Sequence, residues 1–211
     1  INQIVNFDEK RHIGENDSYL CLLIRQDRVD EFNVYTIQEN IQLSSKIKPS
    51  IFETNAFLNE NSPTLIEYAA FFGSIKIIKY LLTKNVEITQ SLLLHSIHSK
   101  NFNLINFLLS NKNKLSKSKY AELHNESIKC HHNYIADYIK TNFTVLDIEK
   151  LKNEVVNVFL QYQNYSYFSY EMMNESYFFK LCYYGYYEIV NFYIKIKDEE
   201  IKETMIAHIQ T

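Results

Sequence analysis

The stretch Phe71–Leu82, FFGSIKIIKYLL, decides the fold, because it places one of the three glycines of the chain between two apolar segments. After the glycine, Ile75, Ile78 and Leu82 recur at intervals of three and four residues, which is the spacing of one face of an amphipathic helix. The glycine is either an accidental helix break or the corner between two helices. A structural corner is expected to recur along the chain.

Comparison of the sequence with itself shows that the pattern recurs. Aligning Gly73 with Gly185 places apolar residues on apolar residues along both flanking segments. The segments HSIHSKNFNLINFLL (95–109) and ESIKCHHNYIADYIK (126–140) align with each other without gaps, and SYLCLLIRQDRVDEFNVY (18–35) is a weaker copy. A fixed period is typical of repeat proteins, so the sequence predicts five helix pairs. They lie near 18–37, 64–83, 91–110, 121–140 and 174–196.

The corner between the two helices of each pair needs a residue that tolerates a positive φ or bonds locally through its side chain. Gly73, Asp27 and Gly185 meet this requirement. Lys100 and His131, which take the same place in the other two pairs, meet it less well. We therefore expect Gly73 and Gly185 to have positive φ at the corners of helix pairs.

The composition agrees with an all-α protein and excludes several classes of function. The chain has 211 residues, of which 46% are hydrophobic, with three glycines and two prolines, too few turn residues for an all-β chain of this length. The formal net charge of -3, with both signs scattered, argues against a nucleic-acid partner. The three cysteines are far apart and no apolar run is long enough for a membrane span, so we expect a cytoplasmic location without disulfides.

The stretch TLIEYAAFFGSIKIIKYLLTKNVEI (64–88) resembles one ankyrin repeat. Thr64 takes the threonine of the repeat signature, Ala69 and Ala70 the paired alanines, Gly73 the corner glycine, and Asn85 the glycine that ends the second helix. The runs LIRQDRVDEF, SSKIKPSIFETNAFL, PTLIEYAAFFGSIKIIKYL and SIKCHHNYIADYI are similar to a family of divergent ankyrin-repeat proteins, numerous in trichomonad protozoa, that carry a domain of unknown function.

This resemblance implies an ankyrin-like solenoid of stacked helix-turn-helix repeats. The spacings of 27 and 31 residues fall short of the usual ~33, so the β-hairpin fingers are expected to be shortened or missing. Residues 1–61 are expected to form an N-terminal helical cap with a degenerate repeat, and 62–211 one continuous solenoid. Residues 141–173 are either a degenerate repeat or an insertion. Glu67 replaces the histidine of the signature, so the hydrogen bonds that this histidine makes between repeats cannot be assumed.

The sequence shows no motif for catalysis or for a cofactor. Cys130, His131 and His132 are adjacent and so point in different directions on a helix, which disfavours a shared metal ion. His95 and His98 share a helix face, but no third ligand is near them in sequence. The sequence therefore predicts neither a metal site nor an enzyme.

The predicted function is a protein-interaction module, whose partner-binding face is the outward side of the first helix of each pair. A permanent structural part of a large assembly, for example a cytoskeletal one, and an enzyme built on the tyrosine-rich C-terminal part are the alternatives. The adjacent repeat, or the N-terminal segment around Phe52 and Phe57, is the alternative cover for this face. If Tyr68, Phe72 and Tyr184 are all fully buried within the chain, binding is expected on the loops 84–87 and 111–117 instead. The predicted contact residues are Tyr68, Phe71, Phe72, His95, His98, Glu126, Lys129, Lys180, Tyr183 and Tyr184.

Overall fold

A computed structural model describes residues 6–110, 116–142, 148–167 and 175–209 of the chain. Within these ranges the protein is helical, and its β structure is limited to one isolated antiparallel bridge between Lys46 and Thr64. The prediction of an all-α protein is confirmed. The helices are α1 (Phe7–Ile13), α2 (Tyr19–Arg25), α3 (Val29–Gln38), α4 (Ala56–Asn61), α5 (Leu65–Phe72), α6 (Ile75–Thr83), α7 (Gln90–His98), α8 (Phe102–Ser110), α9 (Lys117–Lys129), α10 (Asn133–Asn142), α11 (Ile148–Gln161), α12 (Glu175–Tyr183) and α13 (Tyr187–Ile209).

The five predicted helix pairs are present as α2–α3, α5–α6, α7–α8, α9–α10 and α12–α13. The chain divides into two compact units, Ile1–Phe143 and Thr144–Thr211. The first unit contains four of the pairs, and the second contains α11 and the last pair. The predicted division at residues 61 and 62, with one continuous solenoid after it, stays a prediction.

Every predicted corner has a left-handed backbone. Gly73 follows α5 with φ 73° and ψ 27°, as predicted for a glycine that ends one helix and starts the next. Lys100 and His131, which the sequence made weaker candidates, adopt the same conformation although, unlike glycine, they carry a Cβ atom that disfavours it. The φ angles at the five corners are 51° at Asp27, 73° at Gly73, 57° at Lys100, 58° at His131 and 75° at Gly185.

In the first unit, the first helices of successive pairs pack against one another in chain order, α2 on α5, α5 on α7 and α7 on α9. Small residues make this close approach possible. Ala69, Ser96 and Ser127 occupy aligned positions on three successive helices, and all three are fully buried. The two serine hydroxyls donate to backbone carbonyls of their own helices, so both hydroxyls are satisfied although they are buried.

The corner residue Asp27 connects the first helix pair to the second. Its carboxylate accepts hydrogen bonds from the backbone N–H groups of Lys76 and Ile77, at 3.1 and 2.9 Å, in the first turn of α6. Ser74, the residue before α6, instead donates its hydroxyl to the carbonyl of Ile24 at 2.6 Å. Helix α6 is therefore capped by a side chain of the preceding pair, and an anion at a helix N-terminus is stabilising.

Glu67 connects the second pair to the third. Thr64 caps α5. The Glu67 carboxylate in turn accepts a hydrogen bond from the Thr64 N–H at 2.8 Å, which completes a capping box. The other carboxylate oxygen of Glu67 accepts from the hydroxyl of Thr89, the cap of α7, at 3.1 Å. Although the signature histidine is replaced, a side chain at its position does bond to the next pair.

The second unit has a core of its own around α11, α12 and the start of α13. Its buried residues include Phe159, Tyr177 and Leu181. The Tyr186 hydroxyl donates to the Leu160 carbonyl, and the Phe178 and Tyr193 rings lie 5.7 Å apart, which fixes α13 on this core. These apolar contacts explain why α12 and α13 pack as a pair.

Candidate functional site

Two of the predicted contact residues are buried. Tyr68 and His95 each have a relative exposure of 1%. The Tyr68 hydroxyl accepts a hydrogen bond from Arg25 Nη1 at 2.8 Å, and His95 Nδ1 donates to the Ser91 carbonyl at 2.8 Å, so both polar ends are bonded inside the first unit. Neither side chain offers surface to a partner protein in this structure.

The N-terminal segment covers the middle of the predicted face through Phe57 of α4. The Phe57 ring stacks on Phe71 at 6.1 Å and lies 4.9 Å from the His95 ring and 4.0 Å from the His98 ring. This cover was the alternative that the sequence left open. Phe72 is only partly buried, with its ring 4.8 Å from that of Tyr68.

Beside Phe57, three side chains that commonly bind metals come together, and we call them the His–Glu–Cys cluster. They are His98 at the end of α7, Glu126 in the last turn of α9, and Cys130, the residue that follows α9. His98 Nε2 lies 3.0 Å from Glu126 Oε1. Cys130 Sγ lies 3.5 Å from His98 Nδ1, 3.9 Å from His98 Nε2 and 3.9 Å from Glu126 Oε1. All three ligand atoms are within 4.8 Å of one another.

Burial and neighbouring groups together set the charge states of the cluster. Burial raises the pKa of the Cys130 thiol to about 12, and the nearby Glu126 carboxylate adds to the shift. Burial alone would raise the pKa of Glu126, but the hydrogen bond from His98 and the Lys129 ammonium, 3.4 Å from Oε1, keep this pKa below its ordinary value. The cluster therefore holds a carboxylate and a neutral thiol at neutral pH.

The sequence did not indicate the cluster, because no third ligand lies near His95 and His98 in the chain. The ligands come instead from the next helix pair, 28 and 32 residues after His98. The alignment of the units did contain an indication of this contact. Glu126 is aligned with His95, which lies one helical turn before His98. Aligned positions on packed helices are neighbours in space, whatever their separation in sequence.

Among the predicted contact residues, Tyr183 of the second unit is the most exposed. Tyr183, at the end of α12, is 83% exposed, and Phe179, one turn earlier, is 68% exposed. Tyr184 and Lys180 are partly exposed, and the Tyr184 ring lies 5.1 Å from that of Tyr183 in an edge-on arrangement. Tyr187, across the Gly185 corner, is 72% exposed, so the corner carries a group of aromatic side chains that face solvent.

The loops named as the alternative binding face are described in part. Lys84, Asn85 and Glu87 are exposed, while 111–115 lie outside the described residues. Among the described helices, none combines the length and the apolar character needed to cross a membrane. Comparisons with protein-family models, with curated proteins and with solved structures find no match.

Proposed function

We propose that this protein is a non-enzymatic protein-interaction module of the divergent ankyrin-repeat type, acting in the cytoplasm. The proposal of an ankyrin-like stack is supported by left-handed corners in one register and by first helices that pack in chain order. Side chains that bond from one pair to the next, Asp27 and Glu67, support it further. Proteins built in this way bind other proteins over a wide, rigid surface.

The observation that carries the binding proposal is the group of aromatic residues at the α12–α13 corner. Phe179, Tyr183 and Tyr187 are each more than two thirds exposed. Tyrosine supplies a large apolar area and a polar tip at a low cost in side-chain entropy, and residues of this kind dominate binding energy at protein interfaces. Scattered single aromatics are ordinary on a surface, but three around one corner indicate a contact site.

Replacing Tyr183 with alanine is expected to weaken capture of the native partner from a lysate of the source cells by about tenfold, because truncating an anchoring aromatic costs more than ~1 to 2 kcal/mol of binding. The fold should be unaffected, since the side chain is 83% exposed. Quantitative pull-down, with far-UV circular dichroism of each variant, measures both effects.

Tyr134→Ala is the matched control, because Tyr134 is 70% exposed but lies in the first unit. It should leave capture unchanged. Equal capture by the wild type and the Tyr183 variant would contradict the proposed site. Capture that persists at high salt would favour the alternative of a permanent structural component, since a permanent interface is large and apolar.

A further inference from the structure

We propose that the His–Glu–Cys cluster binds one zinc ion, with His98 Nε2, Glu126 Oε1 and Cys130 Sγ as its protein ligands and water in the fourth position. The inference is independent of the proposed protein-binding function. It adds a metal site to a chain whose sequence predicted none. The ion would connect α7 to α9 and so fasten two successive helix pairs.

The distances between the three atoms suit zinc. With separations of 3.0, 3.9 and 3.9 Å, the point equidistant from all three lies about 2.1 Å from each, within the ~2.0 to 2.3 Å range of zinc bonds to nitrogen, oxygen and sulfur. In a regular tetrahedral site the same atoms would be roughly 3.3 to 3.6 Å apart. Side-chain shifts of a few tenths of an ångström are therefore enough for coordination.

The ligand types select the ion. A thiolate and an imidazole favour zinc and other soft or borderline ions, whereas magnesium and calcium prefer oxygen ligands. Zinc displaces the proton of the Cys130 thiol, which passes to solvent, and binds the Nε2 lone pair of neutral His98, whose ring proton then lies on Nδ1. The thiolate and the Glu126 carboxylate then balance the two positive charges of the ion, so the half-buried site is neutral when occupied.

The surroundings agree with this assignment. Among the described residues, the closest hydrogen-bond partner of Cys130 Sγ is His98 Nδ1 at 3.5 Å, a long contact, so the thiol has only weak partners there. Next to the cluster, His95 donates Nδ1–H to a carbonyl, and its buried Nε2 has no hydrogen-bond partner within the described structure. That nitrogen carries a free lone pair one helical turn from His98. Lys129 opposes binding, because its ammonium competes for Glu126.

The test is a zinc titration of the full chain by isothermal calorimetry, repeated with cobalt in an absorption spectrometer. One zinc ion per chain is expected, with a cobalt complex that shows thiolate-to-metal charge-transfer absorption. Cys130→Ser removes the soft ligand and should weaken zinc binding by about tenfold or more and abolish the charge-transfer band. His98→Gln should weaken binding similarly and provides a second variant in case the first fails to fold.

Cys182→Ser is the matched control, because Cys182 is an exposed thiol in the second unit. It should bind zinc and cobalt as the wild type does. The absence of saturable zinc binding by the wild type would overturn the proposal. So would binding that both Cys130→Ser and His98→Gln leave unchanged, since it would be adventitious binding elsewhere on the surface.

Discussion

Replacing Gly73 with valine is expected to lower the free energy of unfolding by about 1 to 3 kcal/mol. Gly73 has a φ of 73°, a region that β-branched residues rarely adopt. A Cβ atom at this position would also meet the Cβ atom of Ser99 at 3.3 Å, so the neighbouring corner would have to move. Urea unfolding, with the midpoint and the slope compared between variants, measures the loss.

Gly185→Val separates the two causes of this loss. Its φ is 75°, but among the described residues an added Cβ would meet only the Tyr187 ring, at an ordinary 3.8 Å, so the backbone strain acts alone. The free energy of unfolding of the second unit should fall by less than that of the first does with Gly73→Val. The corner assignment would be contradicted if Gly73→Val unfolded at the wild-type midpoint.

Replacing Glu67 with alanine is expected to lower the free energy of unfolding by about 2 kcal/mol. The carboxylate accepts from the Thr64 N–H, the Thr64 hydroxyl and the Thr89 hydroxyl, and these donors would lose their partner in a largely buried place. Burial would raise the pKa of Glu67, yet the bonds from Thr64 hold it below its ordinary value, so the folded state stabilises the charged form.

Two variants provide the comparison for Glu67. Glu67→Gln retains one acceptor oxygen, now in an amide, and should recover part of the loss. Glu60→Ala changes an exposed glutamate of α4 and should cost less than about 0.5 kcal/mol. If Glu67→Ala and Glu60→Ala unfolded at the same urea concentration, the result would contradict the proposed contribution of the Glu67 hydrogen bonds to the free energy of unfolding.

The sequence predicted the parts of the fold that depend on local pattern. Apolar spacing and the corner register located all five helix pairs, because both are properties of short segments. The register also located left-handed corners at Lys100 and His131, where residue type alone argued weakly for them.

The sequence did not predict what depends on contacts between distant segments. The sequence left open whether Phe57 covers the predicted face, because no local pattern shows where a short helix such as α4 packs; in the structure its ring lies against that of His98. Tyr68 was placed on the surface, yet Arg25 of the preceding pair bonds to its hydroxyl and buries it. The His–Glu–Cys cluster was missed for the same reason, since its ligands lie on two different pairs.

The measurement that tests the repeated corner most directly is the stability of Lys100→Gly relative to Lys79→Gly. Both lysines are exposed, but Lys79 lies within α6 while Lys100 has a φ of 57° at a corner. Glycine within a helix costs about 1 kcal/mol, whereas at positive φ it relieves strain that an L-residue carries. We therefore expect Lys100→Gly to leave the free energy of unfolding unchanged or raise it by up to about 1 kcal/mol. If Lys100→Gly lowered the free energy of unfolding as much as Lys79→Gly does, the result would contradict a left-handed corner at Lys100 and with it the repeated order of helix, corner and helix.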